Sequence, residues 1–236
     1  MNTKLVIIPT YNEIENISRI INAVLALENR FDILVIDDGS PDGTAAAVKS
    51  IAADEPRVNI IERSGKLGLG TAYLAGFRWA LEHGYDYVFE MDADFSHDPA
   101  DLPRLLDACE KNGADMSVGS RYSNGVSVVN WPIGRILISY FASVYVRTVL
   151  RFKIFDSTAG FVCYSRKVLE SFNFDDVRMK GYGFQIEMKY TAYKKGFRIA
   201  EVPVIFVNRK EGTSKMSGGI FGEAFWGVIG LRFRKF

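Results

Sequence analysis

Short apolar segments alternate with helical patterns of apolar residues through the first half of the chain. The apolar segments lie at residues 4–9, 31–37, 58–61 and 87–91. Between them apolar residues recur every three or four positions, which places them on one face of a helix. The clearest such series is Ile17, Ile20, Ile21, Val24 and Leu25. Strands alternating with helices are typical of βαβ units, so we predict an α/β fold: a predominantly parallel, Rossmann-like sheet with helices on both faces.

The pattern loosens beyond Gly125. Further strands are predicted near 161–164 and 199–206, and a helix near 184–195. Two other segments, 131–152 and 221–236, combine aliphatic and aromatic residues with arginine and lysine. Neither contains the roughly 18 to 20 uncharged apolar residues that span a bilayer. Their composition is typical of an amphipathic helix in a membrane interface, and a helix packed in the core is the alternative.

Composition narrows the class of protein. At 236 residues, with 48% hydrophobic and 24% charged residues, the chain is predicted to form one soluble globular domain. A formal net charge of +1 gives no support to nucleic-acid binding. Cys109 and Cys163 are far apart and lack CxxC spacing, which favours a reducing compartment. The chain opens on a strand pattern without the features of a secretory signal, so we expect it in the cytoplasm.

Polar side chains follow three of the predicted strands where each strand ends. They are Tyr11-Asn12-Glu13, Asp37-Asp38 and Asp92-Ala93-Asp94. The carboxyl ends of parallel strands meet at one edge of a sheet, where ligands bind. Two carboxylates separated by one residue can hold Mg²⁺ or Mn²⁺, which bridges them to a diphosphate; helix capping before Pro99 is the alternative. No G-x-G-x-x-G follows the first strand, and residues 65–70 lack Walker A spacing, so a dinucleotide site and a P-loop are not favoured.

These motifs carry a family resemblance. Pro9 to Glu13, Asp37 to Thr44 and Asp92-Ala93-Asp94 resemble the A-type (GT-A) family 2 glycosyltransferases. Within that family, residues 68–73, 91–97 and 119–122 resemble the dolichol-phosphate mannose synthases. The match covers nearly the whole chain and continues with Trp131, Arg135, Ser139, residues 181–188, residues 201–203, Arg209, Gly212, Ser214 and Lys215. The resemblance implies the GT-A fold and glycosyl transfer from a sugar nucleotide.

Site residues follow from that resemblance, position by position. It implies that the nucleoside is surrounded by Pro9, Tyr11, Glu13, Ile36 and Asp38. It implies that the metal and the diphosphate are framed by Asp92, Ala93, Asp94 and Ser96, with Asp92, Asp94 and Ser96 as the metal site. Ser96 is a weaker ligand than a carboxylate. The donor phosphates would be neutralised by Arg121, Arg209 and Lys215. The acceptor phosphate would be held by Arg121, Arg135 and Ser139, and the catalytic residues would be Asp94, Arg121 and Lys215.

The residues near the expected cleft also bear on the acceptor. A sugar hydroxyl needs a general base, and the Gln-x-x-Arg-Trp motif of many hydroxyl-acceptor relatives is absent from the sequence. Arginines and a lysine suit an anion instead. A phosphate monoester, with a second pKa of about 6, is already a nucleophile at neutral pH. We therefore predict inverting, metal-dependent transfer of mannose from GDP-mannose to a polyprenyl (dolichyl or undecaprenyl) phosphate.

Three alternatives stay open at this point. The same site could use UDP-glucose or a UDP-N-acetylhexosamine. The enzyme could build a polysaccharide on a hydroxyl acceptor. The chain could also bind a nucleotide without catalysis, although Asp92, Asp94, Arg121 and Lys215 are all present. Asp156 and Glu187 are candidates either for hydroxyl recognition or for buried ion pairs.

A polyprenyl acceptor favours the interfacial interpretation of both apolar segments, since its tail stays in the bilayer. We therefore predict one catalytic domain over 1–215 and a membrane-associating segment over 216–236. The domain would comprise a nucleotide-sugar half (1–122) and an acceptor half (123–215) with the amphipathic helix 131–152. The protein is expected to be peripheral on the cytoplasmic face of a membrane, either alone or through a small membrane-anchoring subunit.

Overall fold

A computed structural model of the protein describes residues 2–179, 181–208 and 219–234. Its strands are β1 Lys4–Thr10, β2 Asp32–Asp37, β3 Val58–Glu62, β4 Tyr87–Glu90, β5 Met116–Ser120, β6 Val128–Val129, β7 Val162–Ser165, β8 Ile199–Pro203 and β9 Phe206–Val207. Its helices are α1 Ile17–Leu25, α2 Thr44–Asp54, α3 Leu69–Glu82, α4 Leu102–Glu110, α5 Ile133–Leu150, α6 Arg166–Glu170, α7 Gly181–Lys194 and α8 Gly219–Phe233. The predicted α/β alternation is confirmed, with boundaries that differ by a few residues.

Seven strands form the central sheet in the order β3-β2-β1-β4-β7-β5-β8. Strand β1 pairs in parallel with β2 and β4, β2 with β3, and β5 with β8. The predominantly parallel sheet is therefore confirmed. Strand β7 is the exception, because it runs antiparallel between β4 and β5. The strand predicted over 199–206 divides in two: β8 joins the central sheet, whereas β9 pairs with β6 in a separate ribbon.

Both faces of the central sheet are buried. Along β1, Leu5 and Ile7 belong to one apolar cluster and Val6 and Ile8 to the other, and all four are fully buried. The first cluster includes residues of α3 and α7, and the second includes residues of α1 and α4. A sheet covered on both faces explains why its strands are almost continuously apolar. Helix α3 approaches β1 closely at Gly76, where an added Cβ would lie 2.7 Å from the Ile7 side chain.

Helices α5, α7 and α8 pack together through a third apolar cluster. Its fully or nearly fully buried members include Val146, Leu150, Tyr190, Val228 and Leu231. The amino-terminal half of α5 is different, because many of its apolar side chains face outward. From the sequence, no segment was expected to be long and apolar enough to cross a membrane. Among the described residues, α5 is nevertheless the one helix that is, by length and composition and with Arg135 and Arg147 inside it, and 17% of it is buried. The apolar segment predicted from the sequence is thus a helix with a largely uncovered surface.

An ion pair just beyond the carboxyl end of α8 joins this helix to α7. Arg234 Nη1 lies 2.5 Å from Glu187 Oε1, and Glu187 is buried. The other carboxylate oxygen of Glu187 accepts hydrogen bonds from the main-chain N–H groups of Arg178 (3.0 Å) and Met179 (2.7 Å). Of the two roles left open for Glu187, the structure favours the buried ion pair. The predicted boundary between residues 215 and 216 lies outside the described residues.

Candidate active site

The Asp92–His97 turn leaves the carboxyl end of β4 and is held by its own side chains. Asp94 Oδ1 accepts hydrogen bonds from the main-chain N–H of Ser96 (3.0 Å) and from its hydroxyl (2.6 Å). Phe95 between them has a φ of 57°, in the left-handed region. Ser96 therefore braces the Asp94 carboxylate, and its predicted direct bond to a metal stays a prediction.

His97 supports the other aspartate of this turn. The imidazole is buried and stacks on Phe161 at a centroid distance of 4.9 Å. Burial lowers the pKa of His97 to about 4, so the ring is neutral at pH 7. Its Nδ1 accepts a hydrogen bond from the main-chain N–H of Asp92 at 3.4 Å. The backbone that carries both aspartates is thus fixed before any ligand binds.

One cavity of about 620 Å³ brings together residues predicted for donor and acceptor. Its polar lining includes Asp92, Asp94, Arg121, Arg135 and Ser139. Its apolar lining comes mainly from α5 and α8, and includes Ile138, Phe141, Ala142, Val146, Phe225 and Val228. The rings of Tyr145 and Phe225 stack at 4.9 Å where these helices meet. The cavity is therefore continuous from the carboxylate pair to the helices with the uncovered apolar surface.

Arg121 is held rigidly in this cavity by Asp156. Its Nε donates to Asp156 Oδ2 at 2.7 Å and its Nη2 to Oδ1 at 2.6 Å, while its main-chain N–H donates to Oδ2 at 2.9 Å. Nη2 also donates to Thr158 Oγ1 at 2.9 Å. Burial opposes the charged form of Asp156, but the charge and hydrogen bonds of Arg121 outweigh it and lower the pKa of that carboxyl. Of the two roles left open for Asp156, the buried ion pair is favoured.

Arg135 lies in the first turn of α5 and lines the cavity. Its guanidinium stacks over the Trp131 ring, 4.0 Å from the centroid, and its Nη1 donates to Asn208 Oδ1 at 3.0 Å. Ser139 follows one turn later and lines the same cavity. Arginine presents a planar array of donors that matches phosphate oxygens. Arg121, Arg135 and Ser139 are thus positioned together, as the sequence predicted, and their roles stay predictions.

The residues predicted around the nucleoside lie at the ends of β1 and β2. Pro9, Tyr11 and Glu13 are partly exposed, whereas Asp38 is buried and Ile36 is fully buried in the core. They are absent from the lining of the 620 Å³ cavity, as far as the described residues define it. The structure therefore gives them a neighbouring position on the same edge of the sheet, and none of the contacts predicted for them is tested.

The two adjacent aspartates after β2 have different neighbours. Asp37 accepts hydrogen bonds from the hydroxyls of Thr10 (2.9 Å) and Ser40 (2.6 Å), so it braces the turn. Asp38 pairs with Arg63, whose Nε lies 2.6 Å from its Oδ1. Arg63 could not be identified from the sequence, because a single arginine after the third strand carries no motif.

A second group of buried polar residues, to which the sequence assigned no role, reaches the cavity at Gln185. It consists of Glu90, Gln185 and Lys189, all of them almost completely buried. Burial raises the pKa of Glu90 to about 8 and lowers the pKa of Lys189 to about 8. One signal was available: Gln185 and Lys189 are four residues apart and would lie on one face of the predicted helix. Arg209 and Lys215, predicted for the donor phosphates, lie outside the described residues.

The donor set of the cavity fits a hard divalent cation. Among the described residues, no three His, Cys, Asp or Glu side chains are grouped to hold a metal by themselves. Mg²⁺ needs less, since it is commonly bound by one or two carboxylates with water and substrate phosphates completing its coordination. Asp92 and Asp94 both line the cavity and supply that minimum. The residues present therefore fit a metal that arrives with a diphosphate.

Comparison with known proteins settles the family. The family model described as glycosyl transferase family 2 matches residues 5–172. The chain belongs to glycosyltransferase family 2. It is 47% identical over 239 residues to an undecaprenyl-phosphate mannosyltransferase of Micrococcus luteus, covering 98% of both chains. It is 49% identical over 232 residues to a polyprenol monophosphomannose synthase of Mycolicibacterium smegmatis, covering 96% of this chain and 87% of the relative. The predicted resemblance is confirmed.

Solved structures support the fold. The glucosyl-3-phosphoglycerate synthase of Mycobacterium tuberculosis, in complex with Mn²⁺, uridine diphosphate and phosphoglyceric acid, superposes with a TM-score of 0.73 at 19% identity. The alignment covers 98% of this chain and 79% of the other. A complex of the same synthase with Mg²⁺ and uridine diphosphate has a TM-score of 0.72, at 19% identity, over 98% and 79% of the two chains. At this identity the likeness confirms the GT-A fold of this glycosyltransferase.

Proposed function

We propose that this glycosyltransferase transfers mannose from GDP-mannose to the phosphate of a polyprenyl phosphate, with inversion at the anomeric carbon. The observation that carries the proposal is the continuity of the cavity, which joins Asp92 and Asp94 to Arg121 and Arg135 and then runs along the apolar side chains of α5 and α8. A substrate with a phosphate at one end and a hydrocarbon tail at the other matches that sequence of surfaces. The names of the two mannosyltransferase relatives support the same acceptor class.

On the donor side, Asp92 and Asp94 would hold Mg²⁺ or Mn²⁺ against the diphosphate. The bound metal would act as a Lewis acid that neutralises charge on the departing nucleoside diphosphate. The turn that carries both aspartates is braced by Ser96 and His97, so it needs little rearrangement when the donor binds. Arg209 and Lys215 are proposed to complete the neutralisation of the donor phosphates.

On the acceptor side, Arg121 and Arg135 would hold the lipid phosphate with Ser139. Arg121 is oriented by Asp156 and Arg135 by Trp131 and Asn208, so both guanidiniums are positioned in advance. A phosphate oxygen then attacks the anomeric carbon as the bond to the donor diphosphate breaks. The acceptor carries no proton that must be removed, since its second pKa is about 6.

The described residues that line the cavity support an acceptor that needs no general base. Their carboxylates are Asp92 and Asp94, which are assigned to the metal, and their imidazole is His97. The low pKa of His97 makes it a weak base, and its Nδ1 already accepts a hydrogen bond from Asp92. A sugar hydroxyl would require a base at this position. A phosphate acceptor is therefore favoured over the hydroxyl acceptor of a polysaccharide-building enzyme.

The uncovered surface of α5 supports a peripheral position at a membrane. Ile133 is 75% exposed, Phe141 is 61% exposed, and Trp226 on α8 is 71% exposed. Apolar surface of this kind, with arginines on the same helices, is suited to the boundary between headgroups and acyl chains. We propose that the cavity opens toward the cytoplasmic leaflet, so that the phosphate enters while the tail stays in the bilayer. A small anchoring subunit could strengthen this association.

The deciding experiment is a transfer assay with purified protein. Radiolabelled GDP-mannose, undecaprenyl or dolichyl phosphate in vesicles, and MgCl₂ should yield a lipid-linked β-mannosyl phosphate, and chelation of the metal should abolish it. Parallel reactions contain UDP-glucose, or an oligosaccharide in place of the lipid. Lipid-linked product from UDP-glucose alone would overturn the donor assignment. Product only with the oligosaccharide would overturn the acceptor assignment.

A further inference from the structure

Three buried polar side chains form a hydrogen-bonded chain that reaches the cavity at Gln185. Gln185 Nε2 donates to Glu90 Oε2 at 2.7 Å. Lys189 Nζ donates to Gln185 Oε1 at 3.0 Å and to the main-chain carbonyl of Ala159 at 2.6 Å. Glu90 and Lys189 have no exposed surface, and Gln185 is 2% exposed. The amide of Gln185 thus joins a buried carboxyl group to a buried amine.

Fold stability does not account for this arrangement. Removing charged or polar groups from water costs several kcal/mol of desolvation, and well-packed apolar residues of the same volume commonly serve stability as well or better. The surrounding layer between the sheet and α7 is apolar, with Tyr73, Phe184 and Met188 as members. Buried polar side chains in such an apolar layer point to a function at the surface that they reach. That surface is the cavity, which Gln185 lines.

The two partners determine which way the Gln185 amide faces. A lysine amine in its charged form can only donate hydrogen bonds, so the amide oxygen must face Lys189. The amide nitrogen must then face Glu90. Each end of the amide keeps a further hydrogen-bonding valence, one N–H and one lone pair. A Cβ atom added at Gly160 would lie 3.8 Å from Gln185 Nε2, so the glycine leaves that side of the amide uncrowded.

Most of the other polar groups of the cavity are suited to other ligands or are already hydrogen-bonded. Asp92 and Asp94 are suited to a metal, and Arg121 and Arg135 to phosphates. Thr158 accepts from Arg121, and Ser96 donates to Asp94. A neutral carboxamide with one donor and one acceptor matches the hydroxyls of a sugar, which likewise donate and accept.

We propose that Gln185 binds a hydroxyl of the transferred sugar, and that Glu90 and Lys189 are positioning residues that fix its carboxamide. The inference rests on the proposed function in one respect: a hexosyl group must occupy this cavity between the donor diphosphate and the acceptor phosphate. It adds a residue that selects among sugars, which the metal and the arginines do not do because they contact phosphates.

The test measures whether the effect of removing one sugar hydroxyl from the donor depends on Gln185. Wild type and Gln185→Met are assayed with the sugar nucleotide that the wild type turns over, and with a series of donors that each lack one sugar hydroxyl. For one member of the series, removing the hydroxyl should lower wild-type kcat/KM about tenfold, as expected for one hydrogen bond. In Gln185→Met the same removal should have little further effect, while the inhibition constant of the free nucleoside diphosphate is unchanged.

Further variants separate positioning from folding. Gln185→Asn withdraws the amide by one methylene and should lose the same hydroxyl-specific selectivity. Lys189→Met should lose part of it, whereas Lys194→Met, at an exposed position of the same helix, should lose none. Unaltered selectivity across the whole series in Gln185→Met and Gln185→Asn would overturn the proposal. An equal loss of affinity for the free nucleoside diphosphate would assign a merely structural role and overturn it as well.

These outcomes are distinct from failure of the proposed function. If the wild type uses UDP-glucose and not GDP-mannose, the same series is built on UDP-glucose, and the coupling of Gln185 to one hydroxyl is still expected. If the wild type transfers mannose as proposed and no coupling is found, the function stands and the assignment of Gln185 falls.

Discussion

The apolar residues at the two ends of the catalytic cavity differ in how far they are buried. At the end with the carboxylate pair, β1 is covered on both faces, and its residues Leu5 to Ile8 are fully buried. In α5, by contrast, 17% of the apolar stretch is buried. Burial of apolar surface is the main favourable term in folding, yet α5 retains apolar surface that the described part of the chain does not cover. The end with the carboxylate pair is therefore completed by folding, whereas the end at α5 keeps apolar surface that suits the lipid environment proposed for the acceptor.

The largest effect is expected at the donor end. Asp94→Asn should lower kcat/KM for mannosyl transfer about 1000-fold, because a carboxylate that would hold the metal and its diphosphate becomes neutral. The fold should persist, since the asparagine oxygen can still accept the hydrogen bonds from Ser96. Steady-state kinetics with a titration of Mg²⁺ measures the loss.

The control for that substitution is Asp98→Asn. Asp98 is exposed and its side chain accepts from the N–H of Ala100 at the start of the next helical turn. It should retain wild-type kinetics. Full activity of Asp94→Asn at ordinary Mg²⁺ concentrations would contradict the metal assignment.

A smaller effect is expected on the KM for the acceptor, at the point where the two ends of the cavity meet. Arg135→Met should raise the KM for the polyprenyl phosphate roughly 10- to 100-fold, as expected for a charge-assisted hydrogen bond to phosphate. Inhibition by free GDP should not change, because Arg135 is assigned to the acceptor. Arg104→Met, in α4 and outside the cavity lining, is the matched control. An accompanying loss of GDP affinity would indicate that Arg135 contacts the donor, and would contradict its assignment to the acceptor.

The acceptor end can be tested without touching the cavity. Ile133 and Leu137 are exposed on α5 and do not line it. The double variant Ile133→Asp/Leu137→Asp should lower partition onto anionic vesicles about tenfold, because two apolar contacts with the interface are replaced by charges. Turnover of a short-chain, water-soluble polyprenyl phosphate should be preserved. Undiminished vesicle binding in flotation assays would assign the uncovered surface to something other than a bilayer.

The remaining effect is on folding stability and concerns the buried layer that contains Lys189. Lys189 has its pKa lowered to about 8 by burial, whereas an unfolded lysine titrates near 10.4. Between these values the unfolded chain binds more protons, so the stability of the wild type should rise with pH relative to Lys189→Met, by at most about 1.4 kcal/mol per pH unit. Denaturant unfolding from pH 8 to 10 measures the difference. A flat difference, such as Lys194→Met should show, would mean that Lys189 is not buried as a titrating amine.

The sequence predicted the positions of the strand-end carboxylates well because its signals there are local. Each strand of the first half is a continuous apolar run followed by polar residues, so the positions of Asp37, Asp38, Asp92 and Asp94 at one sheet edge follow from strand direction alone. The order of the strands does not follow in the same way. Strand β7 inserts antiparallel between β4 and β5, a pairing between distant segments that no local pattern encodes.

The partners of the site residues were equally hard to predict. Arg121 and Asp156 are separated by 35 positions, and Glu90 and Gln185 by 95. An ion pair or hydrogen bond between such residues depends on how the sheet is assembled, so Asp156 stayed ambiguous and Gln185 was given no role. Arg135 and Ser139 were easier to associate, because one helical turn brings them together.

By itself the sequence determined the α/β class, the location of the carboxylate pair and the membership of the protein in a glycosyltransferase family. These features depend on periodicity and on motifs within a few residues of one another. The tertiary structure alone decided that one cavity connects the aspartates to the arginines and to the apolar faces of α5 and α8, and that Gln185 is pinned between Glu90 and Lys189. The physical reason is that burial and buried hydrogen bonds arise between segments distant in the chain, and only the folded arrangement brings them into contact.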